Sequence, residues 1–352
     1  MLKIEMQMSW VKYWLFTGLV FVFFQVVIGG ITRLTGSGLS ITKWDIITGT
    51  VPPMSDESWI REFDLYKETP QYKKINQGMT ISEFKWIYFW EYLHRLWART
   101  MGFVFLIPFV IYFTKKWLSP HLLRRLAVVV ALAMLAATFG WIMVASGLID
   151  RPWVNAYKLS FHLCIALSVY SALLWTFLEY RSGQIVPLFK RDHLLSYSIW
   201  VLLWIQLFLG GIMSGMKAGL FYPTWPDMNG EFIPHIVFNS PLFSVDEWVH
   251  YDRTGLAPAV IQILHRFTAY ALLLLGSALF YRLVYRGSNM RVSVAAKAFY
   301  AMLIIQALLG IITVVMCKGQ IPLLWGVLHQ AGAVILLTVT MVLRFEIKRS
   351  PI

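Results

Sequence analysis

Long apolar stretches alternate with short polar ones along this chain. Eight of the apolar stretches reach the ~17–25 residues that a helix needs to cross a bilayer. They run over 11–31, 86–113, 123–147, 155–178, 194–214, 257–281, 294–316 and 322–344. The pattern predicts an all-α integral membrane protein with eight transmembrane helices. Two polar segments are long. The first, 32–85, is rich in Glu, Lys, Tyr and Trp, and is expected to carry one or two short surface helices after a break at Thr50-Val51-Pro52-Pro53. The second, 215–256, holds Pro223, Pro226, Asn229-Gly230 and Pro234 and reads as turns.

Charge adds an orientation to this pattern. Basic residues gather after spans 2, 4 and 6 and at the termini, among them Lys115, Lys116, Arg124, Arg125, Lys190, Arg191, Arg286, Arg344 and Lys348. Segment 32–85 instead sets seven carboxylates against its cations. The positive-inside rule then puts both termini in the cytoplasm and both long loops outside. The net charge of +13 is thereby a topology signal and implies no nucleic-acid partner. With 58% hydrophobic and 14% charged residues, the chain is too apolar for a soluble core. Its two cysteines, Cys164 and Cys317, lie in or beside apolar runs and form no disulfide framework. The N-terminus has no obvious cleavage site and no long Arg- and Ser-rich presequence. An uncleaved first helix in a bacterial plasma membrane is the expectation.

The chain also repeats itself. Gln25-Val-Val-Ile-Gly29-Gly30-Ile31 returns as Gln206-Leu-Phe-Leu-Gly210-Gly211-Ile212, an offset of 181 residues that also carries Trp44 onto Trp225. Glu91-Tyr92-Leu93-His94-Arg95 returns as Gln262-Ile263-Leu264-His265-Arg266. Spans 3 and 7 share Gly140 and Gly310, and spans 4 and 8 share His162 and His329. Each half has four spans and starts on the same side, so the repeat is parallel. It predicts two four-helix bundles related by a pseudo-twofold axis, residues 1–180 and 181–352.

Ionisable groups inside a membrane are costly and mark function by default. His94, His162, His265 and His329 each lie seven or eight residues into their spans from the outer end. At the helical rise this is ~10–12 Å below the outer boundary. Each half thus offers two imidazoles at one level on two helices, which suits the two axial ligands of a haem. Zinc is disfavoured, because no carboxylate or thiolate cluster completes a tetrahedral set in the second half. His121, His193, His235 and His250 fall at interfaces or in loops and read as incidental. Arg95 and Arg266 follow two of the ligands and pair either with haem propionates or, structurally, in an ion pair or with loop carbonyls. The Gly-Gly pairs allow close helix packing or the approach of a flat ring. The halves differ at Glu91 and Gln262. A carboxylate one turn from a ligand can take a proton or stabilise positive charge, whereas an amide only hydrogen-bonds. One catalytic half and one half that holds a redox cofactor would follow.

The segments Ile28-Gly29-Gly30-Ile31-Thr32-Arg33-Leu34-Thr35-Gly36-Ser37-Gly38-Leu39-Ser40, Glu91-Tyr92-Leu93-His94-Arg95, Gly140-Trp141-Ile142-Met143-Val144-Ala145-Ser146-Gly147-Leu148, Thr224-Trp225-Pro226-Asp227-Met228, Leu308-Leu309-Gly310-Ile311-Ile312-Thr313 and His329-Gln330 resemble the haem A synthases of the mitochondrial and alphaproteobacterial type. The resemblance covers nearly the whole chain in order. It implies oxidation of the C8 methyl of haem O to a formyl group by successive hydroxylations and loss of water. It places substrate haem O at His94 and His162, near Arg95, and a haem b cofactor at His265 and His329, near Arg266, with Glu91 catalytic. Implied partners are haem O synthase and an electron donor such as a ferredoxin. Related Gram-positive enzymes carry a cysteine pair in an outer loop, and both long loops here lack cysteine. The alternative is a non-catalytic di-haem b-type electron carrier. Such carriers usually stack two haems between one helix pair, with two histidines per helix, whereas each ligand helix here has one buried histidine. A transporter would typically show inverted repeats with broken helices.

Overall fold

The computed structural model describes residues 2–43, 50–148, 152–182, 191–239, 244–286 and 288–349, with the side chains of 2–5 and 191 left aside. Eight of its helices are long and apolar enough to span a membrane: α1 (Leu2–Leu34), α4 (Ile81–Thr114), α5 (Pro120–Gly147), α6 (Ala156–Ser182), α7 (Arg191–Gly215), α11 (Leu256–Tyr285), α12 (Met290–Val315) and α13 (Leu323–Arg349). The chain is a multi-pass membrane protein. Among the described residues there is no strand, only an isolated bridge between Met228 and Glu231. Two compact units, Met1–Leu173 and Leu174–Ile352, meet within α6.

The spans match the apolar stretches but run further at several ends. α4 starts at Ile81, five residues before the apolar run, because polar residues can extend a helix once it is capped. Thr80 supplies the cap: its Oγ1 accepts from the Glu83 amide at 3.3 Å, while Glu83 Oε2 accepts from the Thr80 amide at 2.8 Å. At its other end, α1 stops in a left-handed Gly36 (φ 69°), with the Ser37 amide donating to the Thr32 carbonyl at 2.9 Å. Only glycine adopts that conformation without strain, and the turn redirects the chain over the top of the unit.

The first long loop folds into α2 (Asp56–Lys67) and α3 (Pro70–Lys74), the short helices its composition suggests. They do more than lie on a surface. Phe63 and Tyr66 of α2 bury themselves against Phe84, Ile87 and Tyr88 at the start of α4. A polar thread ties this cap to the end of α1. Tyr66 donates its hydroxyl hydrogen to Gln71 Oε1 at 3.1 Å, and Gln71 Nε2 donates to the Gly36 carbonyl at 2.8 Å. Asn76 completes it by donating to the Tyr66 hydroxyl at 2.7 Å.

In the second unit, the loop after α7 forms α8 (Ala218–Phe221), α9 (Ile236–Asn239) and α10 (Val245–Val249), separated by turns. Asn229 (φ 60°) and Gly230 (φ 91°) make a tight turn of the hairpin kind, closed by the Met228 amide on the Glu231 carbonyl at 2.7 Å. Lower down, Phe280 of α11 stacks on Tyr300 of α12 with centroids 4.4 Å apart. Asp192 of α7 pairs with Arg282 of α11 at 2.7 Å.

Burial of Tyr66 pushes its phenol up to about 12, an effect that outweighs the hydrogen bond from Asn76. Its contribution to stability is therefore complete below about pH 10, the ordinary tyrosine value, and is lost as pH rises through about 12. Tyr66→Phe should destabilise the outer cap by about 1–2 kcal/mol. Proteolysis of loop 32–85 in the purified protein reports this; equal protection in both proteins would contradict the role of the thread.

Candidate haem-ligand sites

Each of the four histidines sits on a spanning helix whose neighbour offers a glycine at the same level. A side chain begun at Gly29 of α1 would lie 3.0 Å from Nε2 of His94 on α4. One at Gly140 of α5 would lie 3.0 Å from Cε1 of His162 on α6. In the second unit, a side chain begun at Gly210 of α7 would lie 3.2 Å from Cε1 of His265 on α11, and one at Gly310 of α12 would lie 3.0 Å from Cε1 of His329 on α13. These distances are tighter than a real Cβ normally accepts, so glycine is required for the rings to lie where they do. Within the first unit, His162 is in electrostatic reach of His94; within the second, His329 stands so to His265. The sequence-predicted ligands are thus brought together two by two.

Three glutamines that the sequence reading left without a role hold these rings. Gln25 Nε2 lies 2.9 Å from His94 Nε2, and Gln206 Nε2 lies 3.1 Å from His265 Nε2. The two glutamines correspond in the internal repeat, which is the signal that could have found them. Gln306 Nε2 lies 3.1 Å from His329 Nδ1. An amide donor aimed at Nε2 selects the tautomer with its proton on Nδ1 and a lone pair on Nε2.

The residues fit a haem better than a bare ion. Among the described residues, no three His, Cys, Asp or Glu side chains gather in the way a metal ion held by protein alone would need. Two imidazoles per unit can supply both axial ligands of a haem. All four histidines are half-buried, each beside a glycine of a neighbouring helix. Buried polar atoms without partners cluster at these positions: Nδ1 of His162 and His265, and Oε1 of Gln25, Gln206 and Gln306. Polar atoms left so are rare inside proteins and concentrate at functional sites.

Glu91 and Arg95 form the second element of the first site. Glu91 is 3% exposed. Its Oε2 accepts from the Ser40 amide and hydroxyl, both at 2.8 Å, and from the Ile41 amide at 2.9 Å. Its Oε1 pairs with Arg95 at 2.6 Å, one helical turn on. Arg95 also donates to the carbonyls of Ile41 and Lys43, each at 3.2 Å. Carboxylate and guanidinium together clamp the segment that leaves α1.

The second unit repeats the clamp with the polarity changed. Gln262 donates to the Tyr222 carbonyl at 2.9 Å, and Tyr222 corresponds to Ile41 at the 181-residue offset. Arg266 donates to the carbonyls of Thr224 (2.6 Å), Asp227 (2.7 Å) and Pro226 (3.1 Å); Thr224 corresponds to Lys43. Asp227 is held below the usual carboxylate range by the Thr224 hydroxyl, then by the Gly230 amide and Arg266. Loop carbonyls are therefore the partners found for both arginines. His235 and His250 stand apart in the outer loop, beside Glu231 and Asp246.

The fold is that of a multi-pass membrane protein with two histidines on spanning helices in each unit, every one beside a glycine of a neighbouring helix. A family model described as COX15-CtaA, cytochrome oxidase assembly protein, matches residues 12–341, and the chain belongs to that family. Its relatives include the heme A synthase of Bradyrhizobium sp. (strain BTAi1), 38% identical over 93% of this chain and 88% of the relative. The heme A synthase of Parvibaculum lavamentivorans is 38% identical over 92% of this chain and 90% of its own length. That of Nitrosospira multiformis is 37% identical over 96% and 94%.

The clamp makes a prediction about stability. Glu91→Ala takes the carboxylate partner from a guanidinium that is only 12% exposed and should cost about 3–5 kcal/mol. Gln262→Ala removes one neutral hydrogen bond and should cost about 1 kcal/mol. Thermal melts in detergent measure both; equal losses would contradict a charged clamp in the first unit alone.

Proposed function

We propose that this chain is a haem A synthase, converting the C8 methyl of haem O to a formyl group for terminal oxidases. The reading is carried by the two matched histidine pairs, each ring lodged on a glycine, in a chain of this family. Two hydroxylations take the methyl to a geminal diol, which loses water to give the aldehyde. In our assignment the first unit is the catalytic one. His94 and His162 hold the iron of haem O, and their neighbours Gly29 and Gly140 fix how deep the macrocycle sits. Gln25 keeps the His94 Nε2 lone pair available until iron takes its place.

Glu91 brings negative charge to this site. Three donors on Oε2 and Arg95 on Oε1 hold its carboxylate in one orientation, so no reorganisation is needed when positive charge develops on the substrate. Gln262 brings none. His265 and His329 would hold a resident haem b, which supplies electron relay when bound. Arg95 and Arg266 lie next to the ligands and are assigned to the propionate side, where loop carbonyls now engage them. Haem O synthase is the natural source of substrate, and a ferredoxin-like protein is the proposed donor. By the positive-inside rule we place both termini in the cytoplasm of a bacterial cell, with the clamped segments outside.

Co-expression with the farnesyl transferase that makes haem O, followed by haem extraction and chromatography, tests the activity. Haem A should accumulate, and its absence would refute the assignment. His265→Ala or His329→Ala should each abolish the low-spin b-type spectrum of the purified protein; an unchanged spectrum rules out those ligands. Glu91→Gln should keep haem while formyl-haem production stops, and adding Gln262→Glu should not restore it.

A further inference from the structure

The two units agree at their first histidines and diverge at their second. Four residues before the glycine beneath the second ring, the first unit has Ala136 and the second has Gln306. The positions are equivalent in space as well as in sequence. The backbone of Ala136 approaches the His162 ring as that of Gln306 approaches His329. A Cβ added at Gly140 or at Gly310 would meet Cε1 of the respective ring at the same 3.0 Å. Ala136 has no side-chain donor or acceptor to add, and its carbonyl lies where it leaves Nδ1 of His162 buried without a regular hydrogen bond. Gln306 adds an amide, with Nε2 at 2.9 Å from the His329 carbonyl and 3.1 Å from Nδ1.

Space for that amide is made elsewhere. Three residues past His329 stands Gly332, and a side chain there would run into Gln306 Oε1. Three residues past His162 stands Ile165. Alanine with isoleucine in one unit, and glutamine with glycine in the other, amount to an exchange of volume between facing helices. The second unit has glycine where the first has a branched apolar side chain, and one polar group beside its imidazole.

We propose that Gln306 is a positioning residue that fixes His329, and that it separates a site retaining its haem from one that releases it. The inference rests on the reading above that the second unit holds the resident haem. An imidazole that gives its Nε2 lone pair to iron carries its proton on Nδ1. The amide then turns Oε1, buried and without a partner, onto that proton, giving up its bond to the His329 carbonyl. Hydrogen-bonding of this kind sets the orientation of a ligand ring and raises its basicity, and its loss typically costs about 10–100-fold in affinity. His162 has no such side chain, as a ligand to a substrate that must leave would require.

Purified full-length protein, loaded with haem in the cell, provides the test in Gln306→Leu and Gln306→Glu. Haem per chain after size exclusion, the rate of haem transfer to apomyoglobin, and the midpoint potential are measured, with circular dichroism as the control for folding. Gln306→Leu should lose haem about 10-fold faster or more, with a more positive potential. Gln306→Glu restores an acceptor oxygen, and should retain haem with a potential below that of the wild type. A folded Gln306→Leu protein with wild-type haem transfer and potential overturns the proposal while leaving the haem assignment intact. Should Gln306→Leu not fold, Gln306→Glu decides, and an unchanged potential there overturns it. Wild-type protein without a low-spin haem sinks the assignment and this inference together.

Discussion

Arginine reaching from a spanning helix to the carbonyls of the segment above it is the interaction on which each unit depends. Inside or at the edge of a bilayer, backbone polar groups that leave a helix must find partners within the protein. The segments following α1 and α7 leave their helices a few residues above the histidines. Arg95 and Arg266 gather the exposed carbonyls of those segments, and Glu91 and Gln262 engage the same stretches from the same helices. With one of these residues on each side of the ligand histidine, the turn of helix that presents the imidazole also anchors the roof above it. Position of the ring and closure of the outer face are thus one structural problem with one solution, used twice.

Duplication lets shared and private features be separated. Glycine beneath every ring, glutamine on the first ring and arginine on the loop are common to both units. The polarity of the clamp and the partner of the second ring are not. An amide donating to Tyr222 and a carboxylate accepting from Ser40 and Ile41 occupy corresponding places, yet only one carries charge. Conversely, only the second unit spends a side chain on Nδ1 of its second histidine. The unit that carries the charge is the one with no side chain on Nδ1 of its second histidine.

Much of this was legible in the sequence, because membrane helices obey strict length and composition rules and the repeat supplied an internal alignment. The eight spans, the four histidines and the pairing of His94 with His162 and of His265 with His329 could be read from periodicity and depth. The repeat marks Gln25 and Gln206 as a pair, but not what they hold. A Gln in an apolar helix has the same signature whether it packs, bridges helices or holds a ligand, and nothing short of geometry aimed Gln25 at His94. The early start of α4 was hidden for a related reason: hydropathy marks where a helix meets lipid, whereas Thr80 and Glu83 mark where it begins. Residues 44–49, which include Trp44 of the repeat, lie outside the described structure. For Arg95 and Arg266, both partners weighed from the sequence were plausible chemically, and loop carbonyls are what the folded chain presents.

A glycine beside each imidazole lets that ring lie close to the facing helix, with no side chain between them. How near it lies is then set by the separation of two helix axes, a quantity fixed by contacts along both helices, while the glutamines restrain three of the rings within that seat. Such a seat is insensitive to most substitutions nearby, so the surroundings of an inherited ligand pair are free to change. In a duplicated chain, that leaves one copy able to acquire new chemistry while its two imidazoles stay where they were.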